Sequence, residues 1–347
     1  MDKIIRIGMD TSKNVFELHG VNAAEQPVLR KRLRRDQLLA FFKQLPATVI
    51  GMEACGGAHQ WARVLRELGH EARLMAPQFV KPYVKRNKND AADAEALCEA
   101  MSRPTMRFVA VKSAEQQAAL MLIGVRDQLV GRRTQIANAI RGYAAEFGLV
   151  AAKGLNQIDP LLARVAGDEA LPALARELFE VQGRAYAHIQ GQIKALEAKL
   201  MAWHRDNATS QRVAGIPGIG PISGVLLTIK APRPAAFRSG RYFAAWIGLT
   251  PKDHSTAGKQ RLGGITRAGD ESLRAALVAG ATAVIQHARR RKGGAADPWL
   301  RALLERKSPK LAAVALANKN ARIAWKLMTS GESYDPSRRR AAPAPTA

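Results

Sequence analysis

The sequence predicts a mixed α/β domain followed by a mainly helical region. Strand-like alternation of apolar and polar residues dominates the N-terminal stretches KIIRIGMD, VFELHGV and PVLRKRL. Helical and strand-like runs then alternate through the rest of the first hundred residues. From residue 114 to 147 the apolar spacing changes to threes, fours and one seven, which is the period of a long amphipathic helix. A chain of 347 residues with 47% hydrophobic content is long enough for two cores, so two folded domains joined by helices are expected.

KIIRIGMD is the first strand, ending at Asp10, and VFELHGV and PVLRKRL follow it in hairpin fashion. DQLLAFFKQL has helical spacing and leads into a fourth strand, ATVIGMEA, ending at Glu53. AHQWARVLREL is again helical, and GHEARLMAP supplies another strand. In RNKNDAADAEAL, Asp90 and Asp93 stand three apart at the start of a helix, a spacing that puts both on one face. This order can bring Asp10, Glu53, Asp90 and Asp93 together at one sheet edge.

Two carboxylates beside Lys85, Arg86 and Lys88 raise a question of purpose in a chain whose formal net charge is +25. Such an excess points to a polyanion partner. Carboxylates next to a cationic surface can hold Mg2+ against a phosphodiester, the cations attracting the polyanion and the acids holding the metal. Asp90 also suits an N-cap and Asp93 a first-turn anion, so that pair by itself fits a structural role. Acids placed directly after apolar strands, as in GMDTSK and GMEACGG, fit a catalytic role better.

A first long helix carries Leu122, Val125, Leu129, Ile136, Ile140, Tyr143 and Phe147. A second carries Leu174, Leu178, Val181, Ala185, Ile189, Ile193, Leu196, Leu200 and Trp203, with GLNQIDP between the two. Together they predict an antiparallel coiled-coil arm, built for internal packing or for a subunit interface. Arg126, Arg132, Arg133 and Arg141 on the first helix are candidate nucleic-acid contacts, although charge on a helix is more often solvated.

In QRVAGIPGIGPISGVLLTIK, Gly215, Gly218 and Gly220 permit a tight turn that lets backbone amides approach a phosphate, as in a helix-hairpin-helix element; a purely structural turn is the alternative. The segment after it places a polar, glycine-bearing loop between two apolar helical stretches, with Ser255, Thr256, Lys259, Arg261, Thr266, Arg267 and Arg274. That loop suits a scissile phosphate, with Lys259, Arg261 and Arg267 as clamps and a hydroxyl placed for in-line attack. A solvated connector has the same composition, and His254 adjoins Ser255 on a chain whose neighbouring side chains point apart. PWLRALLERK and KLAAVALANKNARIAWKLM close the second core around Trp325. HARRRKGG borders a loop, and the tail past Ser337 is expected to be disordered.

Cys55 and Cys98 lack partners at metal-ligand spacing, which excludes a zinc site and a disulfide framework and leaves two ordinary buried thiols. Apolar runs fall well short of the roughly 20 residues that span a bilayer. MDKIIRIGMD has no signal-peptide core, so a soluble, cytoplasmic protein without a membrane partner is expected.

In combination, GMDTSK, GMEACGG, KNDAADAEAL, GIPGIG and GLTPKDHSTAGKQRLGGITRAGDESLRAAL resemble the DEDD transposases of bacterial insertion sequences, the IS110 family, and within it the IS1111 subgroup. The resemblance runs in order from residue 4 to about 330. It implies a RuvC-like, RNase H-fold domain over 1–112, a coiled-coil arm over 113–205, a helical C-terminal transposase domain over 206–330 and a basic tail over 331–347. It implies Asp10, Glu53, Asp90 and Asp93 as metal ligands and Ser255 as a nucleophile that forms a transient phosphoserine link to DNA. A structured guide RNA, and a dimeric to tetrameric assembly joining the acids of one subunit to the serine of another, are implied in the same way. Many relatives have glycine soon after the serine; here Thr256 and Ala257 follow, which leaves Thr256 as a stiffer fallback nucleophile.

A serine link conserves the energy of the broken bond and so suits strand transfer. The acids alone would equally serve a metal-dependent nuclease or four-way-junction resolvase, and the charge alone a non-catalytic nucleic-acid scaffold. A covalent protein–DNA adduct separates the first reading from the second, and saturable Mg2+ binding separates both from the third.

Overall fold

The computed structural model describes residues 3–85, 89–231, 233–256, 258–290 and 297–336. It divides into two compact units, Met1–Ala118 and Ala119–Ala347. The first holds a six-stranded sheet. Its strands are β1 (Arg6–Thr11), β2 (Val15–Val21), β3 (Pro27–Arg34), β4 (Val49–Glu53), β5 (Glu71–Met75) and β6 (Phe108–Val109), in the order β3-β2-β1-β4-β5-β6. β1, β2 and β3 are antiparallel neighbours, β4 and β5 join in parallel, and β6 returns antiparallel. The helices are α1 (Arg35–Gln44), α2 (Ala58–Glu67), α3 (Pro77–Val80) and α4 (Asp90–Ala100).

Strand pleating sorts this unit into two cores, because successive side chains point to opposite faces. Ile7, Met9, Phe16, Leu18, Ile50 and Met52 meet Leu38 and Phe42 of α1 and Ala58, Ala62 and Leu65 of α2. On the other face Val21 and Met75 meet Ala96, Leu97 and Ala100 of α4. Gly8 and Gly51 lie in register on that second face. A side chain at Gly8 would collide with the backbone of Ala94 and Cys98, and one at Gly51 with Met101. The two glycines therefore let α4 settle directly onto the backbone of β1 and β4, which sets where its first turn stands.

The second unit continues α5 (Ala114–Glu146), then α6 (Ile158–Ala166), α7 (Ala173–Arg205), α8 (Ala208–Ala214), α9 (Pro221–Lys230) and α10 (Gly240–Ile247). A two-stranded hairpin of β7 (Pro251–Asp253) and β8 (Leu262–Ile265) precedes α11 (Glu271–Arg290), α12 (Pro298–Arg306) and α13 (Pro309–Ser330). α5 and α7 run antiparallel, since Arg126 donates to Glu197 at 2.6 Å near one end while Phe147 meets Phe179 near the other.

The apolar stripe expected on α7 holds at Ile193 and Leu200, which are buried, but is displaced over the first turns of the helix. Leu174, Leu178 and Val181 are exposed, and the buried positions are Ala175, Phe179, Tyr186, Ile193 and Leu200. Tyr143 and Phe147 are exposed as well. The cause is α6, whose Ile158, Leu161 and Val165 pack with Ala137, Ile140, Ala144, Phe179 and Tyr186 and so select a different face of α7 in its N-terminal part. The terminal core is formed chiefly by α8–α11 and α13, where Trp325 donates to the carbonyl of Pro234 at 2.9 Å. Tyr334 packs against this core, while residues 291–294 of HARRRKGG, the two alanines after them and the tail from 337 lie outside the described residues.

Candidate active site

Asp10 is the penultimate residue of β1 and points to the face covered by α4. α4 begins at Asp90, but the N-cap is Asn89, whose Oδ1 accepts from the Ala92 N–H at 2.7 Å. The capping role considered for Asp90 thus falls to its neighbour, and Asp90 and Asp93 both remain available beside Asp10. One carboxylate oxygen from each of Asp10, Asp90 and Asp93 lies within 4.8 Å of the others. Glu53 ends β4 on the same face, two residues beyond Gly51, yet it stands outside that cluster; the structure gathers three of the four expected acids and leaves the fourth nearby.

Burial and the charges of Asp93, Asp90 and Glu53 push the Asp10 carboxyl up to about 6. Like charges held together without compensation have this effect, and a divalent cation removes it. The donors are all carboxylate oxygens, which suits a hard cation such as Mg2+ and does not suit a thiophilic one. Cys98 is buried as expected, whereas Cys55 is only half-buried, with its Sγ 3.2 Å from the hydroxyl of Thr11.

Ser255 sits in the second unit, near the tip of the β7–β8 hairpin. The segment expected to be an irregular loop is a short antiparallel ladder, with Pro251 opposite Ile265 and Asp253 opposite Leu262. Its closing turn pairs Thr256 with Lys259. The strands PKD and LGGI have little β-propensity, so pairing across the turn decides their conformation rather than local preference. The hairpin's base is held rigidly. Arg267 adopts φ 55° and its N–H donates to Gly248, Arg274 donates to the carbonyls of Ile247 and Ala268, and Asp270 both caps α11 and pairs with Lys230 at 2.6 Å.

Asp253 is the residue that sequence reasoning missed. Its Oδ1 accepts the Ser255 N–H at 2.9 Å and also the Ser255 hydroxyl, while the Arg261 N–H donates to Ser255 Oγ at 3.0 Å. The hydroxyl thus meets a carboxylate on one side and a backbone N–H on the other. These bonds hold the Asp253 carboxyl below its ordinary range. The only sequence signal was an acid two residues before the serine. His254 lies against Gly263 instead. Lys259, Arg261 and Arg267 are exposed around the same hairpin, and Thr256, also exposed, is committed to the closing turn.

In the glycine turn, Gly215 ends α8, Gly218 takes φ 92° and Gly220 precedes α9. Gly218 packs against Gly280 of α11, so part of this turn serves close helix contact. Gly220 is open, beside a groove of about 430 Å³ lined by Pro217, Gly280, Val284 and His287. No described helix is long and apolar enough to cross a membrane.

Comparison with known sequences gives a match in each part of the chain. Residues 7–147 match the IS110-type DEDD transposase domain, and residues 210–303 match the family described as Transposase IS116/IS110/IS902. A Sinorhizobium fredii protein bearing the name transposase y4pF/y4sB is 64% identical over 96% of this chain and 86% of its own. The transposase for insertion sequence element IS1328 of Yersinia enterocolitica is 40% identical over 96% of this chain and 99% of its own. That for IS1111A of Coxiella burnetii is 38% identical over 96% and 92%.

Proposed function

The chain belongs to the IS110 family of DEDD transposases, and on that premise we propose that it breaks and rejoins DNA strands at the ends of an insertion element through Ser255. The observation that carries this reading is the pair of bonds at Ser255 Oγ, one to a carboxylate and one from a backbone N–H. Attack forms a P–Oγ bond and breaks a bridging P–O bond; the serine proton passes to Asp253, and the departing oxygen takes a proton from water. A free hydroxyl of the recipient strand then attacks the phosphoserine, gives its proton to water and forms the new bridging bond, while the P–Oγ bond breaks and Asp253 returns its proton to the departing serine oxygen. The Arg261 N–H steadies charge on Oγ at both stages. Lys259, Arg261 and Arg267 are the cations for the non-bridging oxygens.

Asp10, Asp90 and Asp93 would hold the metal, with Glu53 at the end of β4 as the fourth acid. Bound Mg2+ supplies charge neutralisation at the phosphate. The glycine turn at Gly215, Gly218 and Gly220 contacts the DNA backbone as a helix-hairpin-helix element. An element-encoded structured RNA selects the target by base pairing, which needs no base-reading side chains here. The exposed apolar residues Leu174, Leu178 and Val181 of the coiled-coil arm support assembly into a homo-oligomer, a dimer or tetramer.

The test mixes protein, Mg2+, DNA with the element's ends and RNA from its noncoding flank, and resolves products on a denaturing gel. A slow-migrating protein–DNA species in wild type, absent in Ser255→Ala and in Asp90→Ala, is the expected result. Cleavage without an adduct, unchanged in Ser255→Ala, would overturn it and leave a metal-dependent nuclease or junction resolvase.

A further inference from the structure

The sheet register places a second feature on the face that carries Asp10. Asp10 lies opposite Glu17 of β2, and Glu17 lies opposite Arg32 of β3. Gly8, His19 and Arg30 form the next row, and Arg34 lies opposite Val15. Directly paired residues share a face, so Arg30, Arg32 and Arg34 stand on the side of the sheet that holds the acidic centre. Neighbouring strands are about 4.8 Å apart, which puts the backbone of Arg32 roughly 10 Å from that of Asp10. α4 packs on β1 and β2, and all three arginines are exposed on the outermost strand. The opposite face of β3 is occupied differently: Leu33 is buried there and Lys31 lies over the ring of Phe41.

We propose that Arg30, Arg32 and Arg34 are a track for one strand of DNA, guiding it toward the acidic centre. Alternate residues of a strand repeat at about 6.8 Å, so the three guanidinium groups form a straight comb within reach of successive phosphates on an extended strand. Arginine suits the task because its fork matches a phosphate. The counter-charges that face the comb are weak competitors. Glu17 approaches Arg32 at 3.3 Å and Asp36 approaches Arg34 at 3.8 Å, with the arginine side chains about 70% exposed in both cases. Glu95 of α4 is already engaged by Lys85 at 2.7 Å. Cations on an edge strand also discourage sheet-to-sheet aggregation. That purpose does not select a face, whereas all three arginines lie on the face of Asp10. DNA is the occupant because the strand that enters the acidic centre of a transposase is its DNA substrate; the inference rests on that reading of the site.

The test measures binding of full-length protein to fluorescent single-stranded DNA and to RNA of equal length by anisotropy, in EDTA, between 50 and 200 mM salt. Arg30→Gln/Arg32→Gln/Arg34→Gln is compared with wild type, with the triple lysine variant and with Lys31→Gln from the other face. The glutamine variant is expected to lose DNA affinity about tenfold or more and to flatten the salt dependence by about two in log–log slope, as loss of three phosphate contacts requires. The lysine variant keeps the wild-type slope and Lys31→Gln changes neither quantity. Unchanged DNA binding in the glutamine variant, loss confined to RNA, or aggregation with normal DNA affinity would each overturn the proposal. If the glutamine variant does not fold, the single Arg32→Gln, losing about one third of that slope change, carries the same test. This assay reads binding in EDTA and the strand-transfer test reads the covalent adduct, so failure of the track and failure of the strand-transfer chemistry are distinguished.

Discussion

Asp253 Oδ1 accepts both the backbone N–H and the hydroxyl of Ser255, so the proton that would leave in the proposed attack already faces a carboxylate. Serine is a weak nucleophile until a neighbour takes its proton. The familiar helper is a histidine, yet His254 turns toward Gly263, and the acid two residues back fills the place. Asp253 is part of the same hairpin as Ser255, so the proposed base moves with its serine.

Asp253→Asn keeps the shape and removes the proton acceptor. Adduct formation should slow by about a hundredfold, within the range usual for loss of a general base, while DNA affinity stays within twofold. Single-turnover rates against pH give the check. The Ser255 bonds hold Asp253 below the ordinary carboxylate range, so it remains ionised through neutral and mildly acidic pH, and its protonation cannot produce an acid limb near 6.

Asp10 gives the opposite sign. Its carboxyl is raised to about 6 by burial and by Asp93 and Asp90, so the metal-free fold takes up a proton as pH falls through that value. Mg2+ must displace that proton. Calorimetric affinity should be about tenfold weaker at pH 5 than at pH 7.5, with proton release on binding that varies with buffer ionisation heat.

The same raised value makes a stability claim. A carboxylate whose folded pKa exceeds its unfolded one weakens the fold once ionised, so the penalty is fully present above about 6 and vanishes below the ordinary value of 3.8. Asp10→Asn should stabilise the metal-free protein at pH 8 by about 1–2 kcal/mol, allowing for solvent screening of a half-exposed group, and change nothing at pH 3.5. Urea unfolding at the two pH values, in EDTA, measures this.

Gly8→Ala should be severe. The added methyl meets the backbone of Ala94 and Cys98, which cannot turn aside as a side chain could. A loss of about 3 kcal/mol or more is expected from overpacking, with weakened Mg2+ binding because α4 carries Asp90 and Asp93 away from Asp10. Gly56→Ala, with open space around it, is the control and should be silent.

Leu178→Glu tests the assembly. Leu178 is exposed on α7, so its loss should leave the melting temperature within about 2 °C. Light scattering should nevertheless show a smaller oligomer, and an unchanged mass would remove this face from the interface.

Much of this was legible in the residues alone. The alternation in KIIRIGMD, VFELHGV and PVLRKRL gave three strands, and the helical period past residue 114 gave the long helices, because period and burial are local properties of a chain. The strand-end positions of Asp10 and Glu53 followed from the same counting. Tertiary contact decided the remainder. Only the docking of α4 on Gly8 and Gly51 brings Asp90 and Asp93 to Asp10 while Glu53 stays aside, and Asn89 takes the cap that Asp90 also fitted. Only the arrival of α6 turns Leu178 outward and Phe179 inward, since a helix with two apolar stripes buries whichever face finds a partner. The β7–β8 hairpin has strands too short to announce themselves, and its register, formed across the turn, is what brings the Arg261 N–H to Ser255 Oγ, whereas the Asp253–Ser255 bonds are local. Sequence carries each element's period and each residue's chemistry; which side chains meet depends on register and docking between segments far apart in the chain.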